Sequence, residues 1–213
     1  MTTVDAPASL QEQTRARYPD ADGYVERDGV RLFYEVYGSG EPTVLLLPTW
    51  SIMHSRHWKA QIPYLARHFR VVTFDGRGNG RSDRPRGVAS YVESKFAADA
   101  LAVMEATATE RAVLVGLSCG ALWATLIAAD HPERTIAVVY IGPAVPLAPA
   151  HPERAIVARF EEELEAEEGW AKYNRHYWQR DYEGFLEYFF GQVFNQPHST
   201  PLRRASAPPS RGG

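Results

Sequence analysis

The chain has one cysteine, Cys119, among its 213 residues. A single cysteine excludes an internal disulfide framework, and without a second one there is no zinc knuckle and no redox CxxC motif. The seven histidines form neither an HExxH motif nor any paired ligand spacing. We therefore predict neither a metal site nor a cofactor.

Strong charge and long apolar runs are also missing. The formal net charge is only −3, which argues against nucleic acid and anionic membranes as partners. No window approaches 18 consecutive apolar residues, and the N-terminal stretch lacks the apolar core of a signal peptide. We expect a cytoplasmic protein that takes a small-molecule substrate. The sequence leaves its oligomeric state open.

Hydrophobic residues make up 45% of the chain, as is typical of globular proteins, and they fall in short runs. Asp28-Gly29 predicts a hairpin between residues 24–27 and 30–37, because both turn positions need a positive φ. Continuous apolar runs predict four strands that are buried on both faces, at residues 43–47, 69–74, 112–117 and 135–141.

Helical patterns separate these strands. We predict helices at residues 55–68, 90–107 and 119–130, with Ser90 and Glu93 forming a capping box on the second. Strands that alternate with helices predict an α/β fold, with a mostly parallel sheet, helices on both faces and a ligand site at the carboxyl ends of the strands.

The composition changes beyond residue 149. Residues 154–170 are acidic and predicted to be helical, with Ile156, Phe160 and Leu164 on one stripe. Residues 182–194 predict a second, aromatic-rich helix. The predicted organisation is a flexible leader (1–22), an α/β core (23–148), a helical segment (149–196) and a disordered tail (197–213).

The segment Gly116-Leu117-Ser118-Cys119-Gly120 follows an apolar strand and opens a helix. This is the context of a G-x-S-x-G nucleophile elbow, in which a strained turn exposes the serine and the two glycines let strand and helix approach closely. The pentapeptide alone is equally compatible with small residues capping a helix. Its flanking strand and helix favour Ser118 as a nucleophile.

Three further stretches carry a family resemblance: Leu45-Leu46-Leu47-Pro48-Thr49-Trp50, Asp75-Gly76-Arg77-Gly78-Asn79-Gly80-Arg81-Ser82, and His131-Pro132-Glu133-Arg134. With the elbow, they make most of residues 24–196 resemble the α/β-hydrolase family, of the serine hydrolase or esterase type. The resemblance implies an oxyanion hole formed by the backbone N–H groups of Cys119 and Trp50. Pro48-Thr49 stands where the family has His-Gly, so Thr49 is the alternative donor.

The resemblance also implies features that this sequence lacks. The family places an acid after its sixth or seventh strand and a histidine after its eighth. Here residues 142–145 contain no acid, and after the helical segment, which resembles the start of a cap, the last two strands are missing. We therefore expect a truncated hydrolase core in which residues 135–141 form an exposed sheet edge. His176 and His198 are the remaining candidates for the base.

Several functions remain open at this point. The first is a serine hydrolase that cleaves an ester, thioester or related acyl bond. The second is a truncated or degenerate module that binds a small molecule or partner without catalysis. A cofactor-free haloperoxidase or carbon–carbon hydrolase would use the same serine, whereas epoxide hydrolysis and dehalogenation in this family need a carboxylate nucleophile.

Two local alternatives are weaker. Cys119 is an alternative nucleophile, as in the dienelactone hydrolases of this fold, but it occupies the position after the elbow, and we interpret it as a packing residue. The glycine-rich turn at residues 75–82 resembles a phosphate loop, but it lacks the lysine of a P-loop.

Overall fold

The structure is a computed structural model that describes residues 16–50, 52–144 and 151–196. The chain divides into two compact units between residues 145 and 146. The predicted boundary at residues 148–149, the predicted tail and most of the predicted leader lie outside the described residues. None of the described helices is both long and apolar enough to span a membrane.

The described part of the first unit contains one six-stranded sheet. Its strands are β1 (Ala21–Arg27), β2 (Val30–Tyr37), β3 (Thr43–Leu46), β4 (Arg70–Phe74), β5 (Ala112–Leu117) and β6 (Thr135–Ile141). They lie in the order β1-β2-β4-β3-β5-β6, with β2 antiparallel to both of its neighbours and all other pairs parallel. The predicted fold class, an α/β sheet with six strands, is confirmed.

The N-terminal hairpin turns where the sequence predicts. Asp28 and Gly29 adopt φ angles of 51° and 72°, as a two-residue hairpin turn of this kind requires. β1 begins at Ala21, three residues before its predicted start, because Ala21 pairs with Val36 of β2. The predicted leader therefore extends two residues too far.

Helices cover both faces of the sheet. On one face, α2 (Glu93–Ala106) and α3 (Cys119–Asp130) pack on β3, β4 and β5 through a cluster that includes Leu45, Val72 and Leu114. On the other face, α1 (Ile62–Leu65) packs through Ile62 on a cluster with Val44 and Leu46. The predicted helix at residues 119–130 is confirmed.

Two predicted helices differ in detail. Residues 55–68 form a 3₁₀ helix, Ser55–Trp58, and the short α1. Pro63 cannot donate a backbone hydrogen bond to a preceding turn, so one continuous helix cannot form. The predicted capping box is wrong: α2 is preceded by Val92, and Ser90 Oγ donates to the Arg86 carbonyl instead.

β6 lies at one edge of the sheet and pairs with β5 among the described residues. Its side chains are apolar on both faces, yet Ile136, Val139, Tyr140 and Ile141 keep 42–48% of their surface exposed. β1, the opposite edge, carries charged side chains within its seven residues. Edge strands are usually protected by such charges. β6, without a charge, is the exposed edge expected from the sequence.

In the second unit, residues 151–196 form two 3₁₀ helices (Pro152–Arg159 and Gly169–Lys172), α4 (Arg175–Arg180) and α5 (Tyr182–Val193). The predicted aromatic helix is confirmed as α5, whose first turn is capped by Asp181, which accepts a hydrogen bond from Gly184 N at 2.8 Å. The predicted helix at residues 154–170 is wrong. The six glutamates within residues 161–168 repel one another in a helix. In addition, Asn174 Nδ2 donates hydrogen bonds to the backbone carbonyls of Arg159 and Glu162.

Candidate active site

Ser118 occupies a strained turn between β5 and α3. Its φ and ψ are 54° and −116°, a backbone conformation that residues other than glycine rarely adopt. A Cβ at Gly116 would lie 2.5 Å from the Gly120 carbonyl, and a Cβ at Gly120 would overlap the Pro48 carbonyl. Both glycines are therefore required by close backbone contacts, as the elbow motif predicts.

Hydrogen bonds hold this turn in place. Ser118 N donates to the carbonyl of Ile141 at the end of β6, at 3.0 Å. The Ser118 carbonyl accepts bonds from Ala121 N and Ala144 N, each at 3.1 Å. The Ser118 residue remains partly exposed. This backbone geometry is that of a nucleophile elbow, and the nucleophilic role of Ser118 remains a prediction.

The two predicted oxyanion donors lie on neighbouring segments. Cys119 is the first residue of α3, where a backbone N–H has no acceptor within the helix. Residues 48–50 follow β3, and the contact between Pro48 and Gly120 places this loop against the elbow. Thr49 is buried and Trp50 is partly exposed. Whether Trp50 or Thr49 joins Cys119 in an oxyanion hole remains a prediction.

One acidic side chain beside the elbow was predicted only as part of a helix cap. Glu93, the first residue of α2, accepts a hydrogen bond from Trp123 Nε1 on α3. Burial raises the pKa of the Cys119 thiol, and the Glu93 carboxylate raises it further. The only available signal was that α2 begins at the carboxyl edge of the sheet, where the elbow also lies.

The glycine-rich turn after β4 is structural, as the resemblance implies. Asp75 accepts hydrogen bonds from Ser55 N and Arg81 N, both at 2.8 Å. Its carbonyl accepts one from Ser82 Oγ at 2.6 Å. Gly78 N and Gly80 N donate to Asp83 and Asn79. Because these turn amides are already bonded within the protein, the phosphate-loop alternative gains no support.

The histidine candidates for a base have different environments. The His176 ring contacts the carbonyl of Glu161, both in the second unit. His198 lies outside the described residues. A third histidine, which the sequence analysis did not propose as a base, lies in the first unit. His57 Nδ1 lies 3.0 Å from the His54 carbonyl, which assigns the proton to Nδ1, while Nε2 is shielded from solvent and has no hydrogen-bond partner among the described residues.

His57 predicts a pH dependence of stability. Burial lowers its pKa from 6.5 to about 4, so between these values the unfolded chain binds a proton that the folded chain does not. The free energy of unfolding should therefore fall as pH falls through this window, by at most about 3 kcal/mol from this group. Urea denaturation at pH 7, 5.5 and 4.5 measures the effect.

The substitution His57→Asn should flatten that pH dependence. His131→Asn, at a histidine whose side chain is 45% exposed, is the matched control. If the wild type and the His57 variant lose stability equally between pH 7 and 4.5, His57 does not cause the dependence.

Comparisons with known proteins agree with the fold. Residues 42–210 match the model of the α/β-hydrolase fold family. Epoxide hydrolase A of Mycobacterium tuberculosis is 34% identical over 141 residues, which are 65% of this chain and 44% of that protein. Pimeloyl-[acyl-carrier protein] methyl ester esterase of Edwardsiella ictaluri is 31% identical over 112 residues, 52% of this chain and 40% of that protein.

A solved structure covers more of the chain. Est816, described as an N-acyl homoserine lactone degrading enzyme, matches with a TM-score of 0.61 and 28% identity, over 87% of this chain and 64% of that one. The chain spans less than half the length of the two curated relatives. The chain belongs to the α/β-hydrolase fold family, because the family model matches residues 42–210 and the sheet order and elbow agree with it.

Proposed function

We propose that this chain belongs to a serine hydrolase that acts on an ester, thioester or related acyl bond, with Ser118 as its nucleophile. The observation that carries the proposal is the strained, partly exposed Ser118 between two sterically required glycines. Relatives named as a methyl ester esterase and as a lactone-degrading enzyme act on acyl carbons, which supports this substrate class.

In this mechanism Ser118 Oγ attacks the acyl carbon, and a base accepts its proton. The carbonyl electrons move to the oxygen, where the backbone N–H of Cys119, with that of Trp50 or Thr49, stabilises the negative charge. The carbonyl then re-forms as the leaving group departs with a proton. Water hydrolyses the resulting acyl-enzyme and regenerates Ser118.

A serine nucleophile favours a different substrate from the epoxide that some relatives' names imply. Attack by a serine on an epoxide would form an ether, which water does not readily cleave. A carboxylate nucleophile would instead form an ester, which water hydrolyses. Although a relative is named epoxide hydrolase A, Ser118 at the elbow therefore favours an acyl substrate.

No base for Ser118 is identified among the described residues, and this limits the activity that we expect of the chain. Removing the histidine of a serine hydrolase lowers kcat by a factor on the order of a million. The oxyanion hole and substrate binding then still accelerate the reaction roughly 10³–10⁴-fold over the uncatalysed reaction in water. Asp75 is already bonded by two backbone N–H groups, and residues 142–144 after β6 contain no acid. We expect the isolated chain to be nearly inert, and a non-catalytic binding module is the second candidate.

Covalent labelling tests the nucleophile. We expect a fluorophosphonate probe to form an adduct on Ser118 in the folded chain, detected by peptide mass spectrometry, and to lose it in Ser118→Ala. Ser94→Ala, at an exposed serine on α2, is the matched control and should label as the wild type does. A folded wild-type chain without the adduct would favour the non-catalytic module.

A further inference from the structure

Glu93 and the elbow are connected through one face of α3. Cys119 and Trp123 are four residues apart on α3, so their side chains lie on the same side of the helix. Trp123 Nε1 donates to Glu93 Oε2. The Glu93 carboxylate is thereby held beside the residue that follows the predicted nucleophile.

The contacts around Trp123 give this carboxylate a defined position. The Trp123 ring stacks on Phe96 of α2, with ring centroids 4.2 Å apart and an angle of 3° between the planes. Both residues are buried. Because Glu93 and Phe96 are three residues apart on α2, the stacked pair and the hydrogen bond act together to orient Glu93. Glu93 is exposed, and without these contacts its side chain would sample many rotamers.

The negative charge of Glu93 counteracts the positive electrostatic potential at the start of α3. The first turn of α3 presents N–H groups and the positive end of the helix dipole, which attract anions. The Glu93 carboxylate disfavours negative charge in the same region, as its effect on the pKa of the Cys119 thiol shows. An oxyanion formed within hydrogen-bond distance of backbone N–H groups keeps its stabilisation, whereas an anionic group elsewhere on the substrate is repelled.

We propose that Glu93 is a specificity-determining residue, which makes the elbow select neutral or cationic acyl substrates over anionic ones. The proposal rests on the proposed function for its substrate class. Its electrostatic part, however, is independent of catalysis, because Cys119 is a partly exposed thiol next to Ser118. The thiol therefore serves as a probe of the local field.

The test compares two thiol reagents of similar size and opposite charge, aminoethyl and sulfonatoethyl methanethiosulfonate. Their second-order rates on Cys119 are measured in the folded wild type and in Glu93→Gln. Any change in the thiol pKa or in access affects both rates, so it largely cancels in their ratio. We expect the cation-to-anion rate ratio to fall about three- to tenfold in Glu93→Gln at low salt. In 1 M salt, where screening acts over about 3 Å, most of that difference should vanish.

Two further variants complete the experiment. Glu105→Gln removes the same charge twelve residues along α2, roughly 18 Å away, and should leave the ratio unchanged. Trp123→Phe keeps the stacking ring but removes the donor, and should lower the ratio part of the way. Equal ratios in wild type and Glu93→Gln would overturn the proposal, whatever the outcome of serine labelling. If labelling fails while the ratio changes, the proposed function and the acyl substrate class are wrong, and the selection by charge at the elbow stands.

Discussion

Asparagine in place of Asp99 is expected to lower the free energy of unfolding by about 3–5 kcal/mol. Asp99, on α2, is fully buried and accepts hydrogen bonds from Arg77 Nε at 2.6 Å and Arg77 Nη2 at 2.7 Å. Arg27 Nε of β1 adds a third at 2.8 Å. The Arg77 side chain is only 2% exposed, so the substitution leaves a buried guanidinium without its counter-charge. Urea denaturation at pH 7 measures the loss.

The matched control is Asp28→Asn. Asp28 also pairs with Arg27, at 2.8 Å, but its side chain is 52% exposed. Asparagine tolerates the positive φ of this turn position, so stability should change little. A loss at Asp99 no larger than that at Asp28 would show that water or a rearranged side chain compensates Arg77. Because Arg77 belongs to the turn at residues 75–82, the same variant should also loosen that turn.

We also predict that the chain self-associates through the exposed edge of β6. The seven-residue strand has no charge, proline or glycine, and four of its large side chains are exposed. Next to it, Val113, Val115 and Leu117 of β5 are only partly buried. An edge of this kind pairs readily with other chains. We expect the 213-residue chain to form concentration-dependent oligomers, measured by size-exclusion chromatography with light scattering.

A lysine on this edge should suppress the association. Val139→Lys places a charge on the exposed strand, and we expect the monomer fraction at tens of micromolar to rise severalfold. Tyr64→Lys, at a side chain 64% exposed on α1, removes apolar surface away from the edge and should have little effect. If both variants behave alike, general surface polarity and not β6 controls solubility.

The elements that were predicted well are those with strong local signals. The β5–elbow–α3 segment follows its prediction because an apolar run, two glycines and Pro132 mark its limits locally. The hairpin follows from the backbone preferences of Asp28 and Gly29. Such signals depend on backbone conformation and burial over a few residues.

The failed predictions depended on distant contacts. Ser90 and Glu93 have the spacing of a capping box, but Glu93 bonds Trp123, which is 30 residues away. The acidic stretch at residues 154–170 has helical periodicity, but two of its backbone carbonyls accept hydrogen bonds from the Asn174 side chain. In both cases a tertiary hydrogen bond outweighs a local preference worth about 1 kcal/mol.

The sequence by itself determined the α/β class, the position of Ser118 on an elbow and the apolar character of β6, because turn chemistry and apolar periodicity are local properties of the chain. Only the tertiary structure decided which charges meet. It placed Asp99 between two arginines, left His57 Nε2 shielded and set Glu93 beside the elbow. Coulomb and desolvation energies depend on distance and burial in space, and a sequence pattern does not specify either quantity.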